Sequence, residues 1–289
     1  MAPPKSKDDL TFIEHLEELR WHLVRVIVAI CIISVAAFIL PGVLFDTVIF
    51  GPKSDNFLTY RLFCRLSEWL HLGGSLCIKP PKFDVVNLEM SGQFVAHIKI
   101  SFIAGLVVAF PYLFWEIWRF VRPGLYESEV KAMRGVVAVS SVLFLVGILF
   151  GYFIITPFSV NFLVAYSVSS SVGNYIAFSS YVDTLVSIVL ASGIMFELPL
   201  LVFFLSKMGL ITPDDMRQYR RHAFVIILFV AAIITPPDVF SQVLVTIPVY
   251  FLYEFSVLVS ARVARQLQQQ EAEEERALVV TNANSNKQE

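Results

Sequence analysis

Six stretches of this 289-residue chain are apolar over lengths that water does not tolerate, and no other feature limits its fold as strongly. A helix that crosses a bilayer needs about 20 mostly apolar residues. Such segments fall at about 22–40, 91–113, 134–156, 181–206, 219–234 and 239–260. Composition agrees: 56% of the residues are hydrophobic and only 16% charged, where soluble domains carry about 25% charged residues. The pattern predicts an all-α integral membrane protein with six transmembrane helices. The first apolar run, Leu23 to Leu40, is long and no small-residue cleavage site follows it, so it reads as a retained anchor. The fifth segment is anomalous. Its uncharged part, Ala223 to Ile234, has 12 residues and rises only about 18 Å. Against a hydrocarbon core of ~30 Å this predicts local thinning or a polar cavity.

Lys and Arg placement sets orientation. Four lie before or at the start of the first span (Lys5, Lys7, Arg20, Arg25), four around the 2–3 loop (Arg119, Arg122, Lys131, Arg134), four around the 4–5 loop (Lys207, Arg217, Arg220, Arg221) and four in the tail (Arg262, Arg265, Arg276, Lys287). The 3–4 and 5–6 loops carry none. Both termini are therefore expected in the cytoplasm, with the chain in the cytoplasmic (inner) membrane. The 1–2 loop, 41–90, holds five basic residues, but long loops cross with little regard to charge, and it is expected in the periplasm. The organisation that follows is an amphipathic N-terminal segment 1–21, a membrane domain 22–262, and a partly disordered cytoplasmic tail 263–289, rich in Gln, Glu and Asn, that reads as a helical extension fraying into disorder. The net charge of −2 and pI near 6.2 give no case for nucleic-acid binding by bulk charge.

Within the long loop, Leu58, Leu62, Leu66, Trp69 and Leu70 recur at helical spacing with Arg61, Arg65 and Glu68 among them. This predicts an amphipathic helix near the outer interface, stopped by Gly73-Gly74. Cys64 and Cys77 are the only cysteines outside a span, and an oxidising compartment predicts a disulfide between them. Cys31 is expected to be buried in span one as a small apolar group.

Several polar residues stand where an apolar chain does not need them. Phe12, Leu16, Leu19 and Leu23 make one helical stripe, with Glu14, Glu17 and Glu18 off it; the acids are either a solvated face or a carboxylate cluster for a cationic ligand. Between spans two and three, Trp115 to Glu129 combines an interfacial aromatic belt, a Pro123-Gly124 turn, and Glu127 and Glu129, which suit the start of the next helix or complete the same cationic site. Glu197, in Phe196-Glu197-Leu198-Pro199, lies deep in span four, where an ionisable group costs ~2.5 kcal/mol or more and is functional by default. Pro199 should kink the span nearby. Lys99 in span two either snorkels or pairs with Glu197. Asp238 is a good N-cap for span six, and Gln242 lies one turn inside it with no evident structural need. No metal-binding cluster, phosphate loop or catalytic triad order occurs, so neither an enzyme nor a cofactor is expected. Taken alone, Glu197 would also suit a proton-coupled secondary transporter.

Four motifs carry a family resemblance: Phe12-x-x-His15-Leu16-x-Glu18-Leu19-Arg20, Trp118-x-Phe120-x-x-Pro123-Gly124-Leu125-Tyr126-x-x-Glu129, Phe196-Glu197-Leu198-Pro199 and Thr235-Pro236-Pro237-Asp238-Val239-Phe240-Ser241-Gln242. With six spans, they resemble the TatC family, the multispan receptor subunit of the twin-arginine protein translocase, over about 10–262. The resemblance implies binding of twin-arginine signal peptides and translocation of folded proteins driven by the proton-motive force. It implies TatA-like and TatB-like single-span partners and a homo-oligomer within the complex. By motif, Glu18 and Glu129 would contact the arginine pair, with Arg20, Phe120 and Pro123 shaping the site. Glu197 would meet a partner span, and Lys99, Asp238 and Gln242 fall on family positions. His22 stands where the family often has Arg. The long 1–2 loop with two cysteines resembles a lineage-specific insertion.

Overall fold

A computed structural model describes residues 12–69, 71, 77, 80, 83–121, 135–169, 174–234 and 239–285. Among them, five helices are long and apolar enough to cross a membrane: Glu17–Phe38, Gly92–Phe120, Val136–Ala165, Phe178–Lys207 and Gln242–Gln269. The fifth predicted segment forms a helix, Arg220–Ile234, of 15 residues, which rises only about 22 Å. The chain divides into two compact units, Met1–Gly193 and Ile194–Glu289.

In the first unit, helix α1 (Phe12–Phe38) packs along α3 (Gly92–Val121). Their seam buries Val26, Ile30 and Ala109, with Ile33, Leu106 and Leu113 against them. Cys31, expected to be buried, instead lies on the face of α1 turned away from this seam and is exposed. The helices approach closely because Gly105 presents no side chain to Ile30 and Ser34. The third span is two helices, α4 (Val136–Phe150) and α5 (Thr156–Ala165), joined by a π-helical segment, Gly151–Ile155. Pro157 accounts for the irregularity: it has no N–H to give the carbonyl of Phe153, four residues back. Thr59 supplies a donor instead, its hydroxyl bonding the Phe153 carbonyl.

Thr59 lies on α2 (Leu58–Trp69), the helix of the 1–2 loop. Its packed face also holds Tyr60, whose hydroxyl donates to the Pro52 carbonyl at 2.9 Å, and whose phenol burial pushes up to about 12. Phe63 meets Phe158 edge to face. A disulfide joins Cys64 to Cys77, with the Cα atoms 4.2 Å apart. Gly73-Gly74, expected to stop the helix, lies outside the described residues; the chain turns at His71, which adopts a left-handed φ of 55°. The 1–2 and 3–4 loops meet in a parallel pair of two-residue strands, β1 (Val85–Val86) and β2 (Ile176–Ala177). Beneath them Ile49, Phe83, Ile100, Tyr181, Val182 and Leu185 form the larger core.

Span four breaks as Pro199 requires. Helix α6 (Phe178–Met195) ends at the residue whose carbonyl Pro199 cannot serve, and α7 (Leu198–Lys207) begins after it. In the second unit, α8 (Pro213–Gln218) opens on a Thr212/Asp215 capping box. It is followed by α9 (Arg220–Ile234) and α10 (Val239–Ser285). Val202, Met216 and Val257 form the core. Ser206 donates to Ser260 at 2.7 Å, and Arg220 pairs with Glu254 at 2.8 Å. The tail continues α10 as far as Ser285, the helical extension expected from the sequence.

Candidate functional site

The N-terminal end of α1 and the C-terminal end of α3 meet around an open cavity of about 450 Å³ lined by Glu18, Trp21, His22, Arg25 and Arg119. Residues 115–121, which the sequence places in a loop, are instead the last two turns of α3, and this brings Glu116 beneath the cavity. Glu116 is 1% exposed and His22 6%. A buried carboxylate survives only when paired and hydrogen-bonded, and Glu116 is both. His22 Nδ1 bonds Oε2, the Tyr112 hydroxyl donates to Oε1 at 2.9 Å, and Arg25 Nη1 stands 4.0 Å from Oε2. The Phe120 ring meets the His22 ring edge to face at 6.0 Å. The Arg119 guanidinium lies over the Trp115 ring, 5.7 Å from its centre, a cation–π contact.

The two arginines that line the cavity are thus engaged, Arg25 by Glu116 and Arg119 by Trp115. Glu18, on the cavity wall, makes no ion pair among the described residues. Such a carboxylate is suited to a guanidinium from outside, which it can meet with two parallel hydrogen bonds.

Of the other residues singled out in the sequence, Phe120 packs beside this floor and Arg20 is exposed on α1. Pro123, Glu129 and Asp238 lie outside the described residues. Lys99 donates to Asp183 at 2.6 Å, both side chains about half exposed. The partner is thus Asp183, an acid in span four, and not Glu197. Glu197 is the partly buried residue between α6 and α7, its carbonyl accepting from Leu200 and Leu201. Gln242 has a local role: its amide donates to the Leu228 carbonyl of α9 at 3.2 Å. Sequence reasoning also gave Glu116 no role. Its signal was faint, an acid one turn after Tyr112 on an otherwise apolar helix. Among the described residues no group of three His, Cys, Asp or Glu could hold a metal ion.

Comparison with known proteins adds four findings. The family model described as Sec-independent protein translocase protein (TatC) matches residues 14–248. The chain is 37% identical over 262 residues to the Sec-independent protein translocase protein TatC of Blattabacterium sp. subsp. Periplaneta americana (strain BPLAN), covering 90% of this chain and 98% of that one. It is 31% identical over 254 residues to the protein of the same name from Aquifex aeolicus (strain VF5), covering 88% and 95%. The crystal structure of a twin-arginine translocase receptor, TatC, in DDM is similar at a TM-score of 0.67 and 31% identity, over 86% of this chain and 99% of that one.

Proposed function

Because the chain belongs to the TatC family of Sec-independent protein translocase proteins, we propose that it is the receptor subunit of a twin-arginine translocase. In this reading it is a multi-pass protein of the inner membrane, with the ends of α1 and α3 at the cytoplasmic face and the 1–2 loop in the periplasm, as the distribution of Lys and Arg favours. The paired arginines of a signal peptide enter the cavity beside Glu18, with Glu129 as the second acceptor and Arg20, Phe120 and Pro123 around it. The observation that carries this is the charge arrangement: a cavity-wall carboxylate left without an ion pair among the described residues, where both arginines lining the cavity already have partners. TatA-like and TatB-like single-span subunits complete the translocase, which carries folded proteins under the proton-motive force. A proton-coupled small-molecule transporter is not favoured by this family.

Glu18→Ala is expected to weaken binding of a twin-arginine signal peptide by ~1.5–3 kcal/mol, the range for hydrogen bonds to charged groups, or roughly 10- to 150-fold in Kd. Glu129→Ala should act in the same direction. The Glu18→Ala variant should keep the wild-type melting temperature, because Glu18 supports no ion pair of the fold among the described residues. Titration of labelled peptide onto the purified chain measures this, and unchanged affinity in both variants would sink the assignment.

Glu197 and Gln242 serve the partner subunits in the same reading. Glu197→Gln keeps shape and hydrogen bonding, so transport should fall mildly. Glu197→Leu should leave insertion intact and impair transport of folded substrate. A normal transport rate with Leu at 197 refutes the polar-contact role.

A further inference from the structure

Helix α2 is packed the wrong way round for a helix in water. Viewed down its axis, three sectors separate. Thr59, Tyr60 and Ser67 are buried against the protein, although two are small and polar. Leu58, Leu62 and Trp69 are 54%, 55% and 75% exposed, and Leu66 beside them is 37% exposed. Arg61, Arg65 and Glu68, all exposed, occupy the remaining arc alongside the leucine stripe. A soluble loop helix gains by turning its leucines inward; this one turns them out.

The fixing of the helix explains why it does not roll over. Thr59 bonds the Phe153 carbonyl that Pro157 deprives of its α-helical donor four residues on. Tyr60 is held by Pro52, Phe63 by Phe158, and Cys64 by its disulfide to Cys77. These anchors also set the height of the helix. A crossing of about 20 residues begun at Val136 ends at Ile155, between Phe153 and Phe158. The exposed stripe is therefore held at the level where the third span leaves the hydrocarbon.

We propose that α2 is a bilayer-surface anchor: Leu58, Leu62, Leu66 and Trp69 enter the apolar margin of the leaflet on their own side, and Arg61 and Arg65 hold phosphates of anionic phospholipids. A leucine stripe with a tryptophan at its end and arginines along one edge matches the apolar-to-phosphate boundary of a membrane surface. Guanidinium groups match phosphate in particular. The anchor would press the 1–2 loop onto the lipid beside span three, independent of signal-peptide binding.

The test uses the full chain reconstituted in vesicles, with a photo-crosslinking amino acid at Leu62, at Trp69 and, as a control, at Asn56, outside the stripe. Non-reducing electrophoresis confirms that the Cys64–Cys77 bridge is intact in each. Illumination in phosphatidylglycerol vesicles should give lipid adducts at 62 and 69 by mass spectrometry and none at 56. The yield at 62 should fall several-fold in phosphatidylcholine vesicles and by a similar factor with Arg61→Gln/Arg65→Gln in phosphatidylglycerol. Adducts to a second copy of the chain, or no adducts at 62 and 69, overturn the anchor. Equal yields in the two lipids, or with and without the arginines, overturn the phosphate contact.

Discussion

Alanine in place of Glu116 is expected to destabilise the protein by roughly 2–5 kcal/mol, because two hydrogen-bonding partners of a buried carboxylate are left unsatisfied at about 1–3 kcal/mol each. The deletion leaves His22, 6% exposed, without its acceptor, frees the Tyr112 hydroxyl, and removes the counter-charge nearest Arg25. Glu116→Gln keeps an oxygen for one of the two donors and should cost about 1 kcal/mol, one net hydrogen bond. The peptide site should respond as well. With Glu116 gone, Arg25 is free to turn toward Glu18 and compete with the incoming guanidinium, so signal-peptide affinity falls in the alanine variant without any contact residue being lost. Equilibrium unfolding in detergent and peptide titration on the same samples measure both effects. An alanine variant as stable as wild type shows that the pair under the cavity is dispensable.

A side chain at Gly105 should be nearly as damaging for a steric reason. A Cβ built there stands 2.9 Å from the Ile30 carbonyl oxygen and 3.0 Å from the Ser34 nitrogen, and it collides with the Ser34 hydroxyl. The first two are backbone atoms of α1, which cannot rotate away. Gly105→Val must therefore push α1 off α3 and open the seam around Val26, Ile30 and Ala109. Overpacking of this kind costs about 1–3 kcal/mol and occasionally more; valine belongs at the upper end. Ser34→Gly removes the hydroxyl but neither backbone atom, so it should rescue Gly105→Ala only in part. Full rescue would place the obstruction in the side chain alone and contradict the close helix approach. Thermal unfolding of the four proteins completes the cycle.

The spans were legible because hydrocarbon imposes a length and an apolar composition that few other settings require. The break in span four was legible too, since a missing N–H at Pro199 acts on a carbonyl four residues away in the same helix. What the sequence hid were pairings across distance. His22 and Glu116 lie 94 positions apart, and Glu116 sits in a run of Trp and Phe that looks like an interfacial belt. Lys99 had two acids in span four to choose from, and helix rotation, which a single sequence does not reveal, selects Asp183. The same holds for α2. Its period marks the leucine stripe, but which face meets the protein depends on a carbonyl of span three deprived of its α-helical donor by Pro157.

That last contact orders events during synthesis. Thr59 and Phe153 are separated by 94 residues, so when the 1–2 loop has left the ribosome its docking surface has yet to be made, whereas its disulfide joins cysteines only 13 apart. Chains emerge and begin to fold from the N-terminus. The loop can therefore close on itself early but find its seat late, and until it does, the third span carries a carbonyl without its Thr59 hydroxyl at the edge of the lipid. Trimming the loop would then show first as a failure of a distant span to settle, well before any loss of grip on cargo.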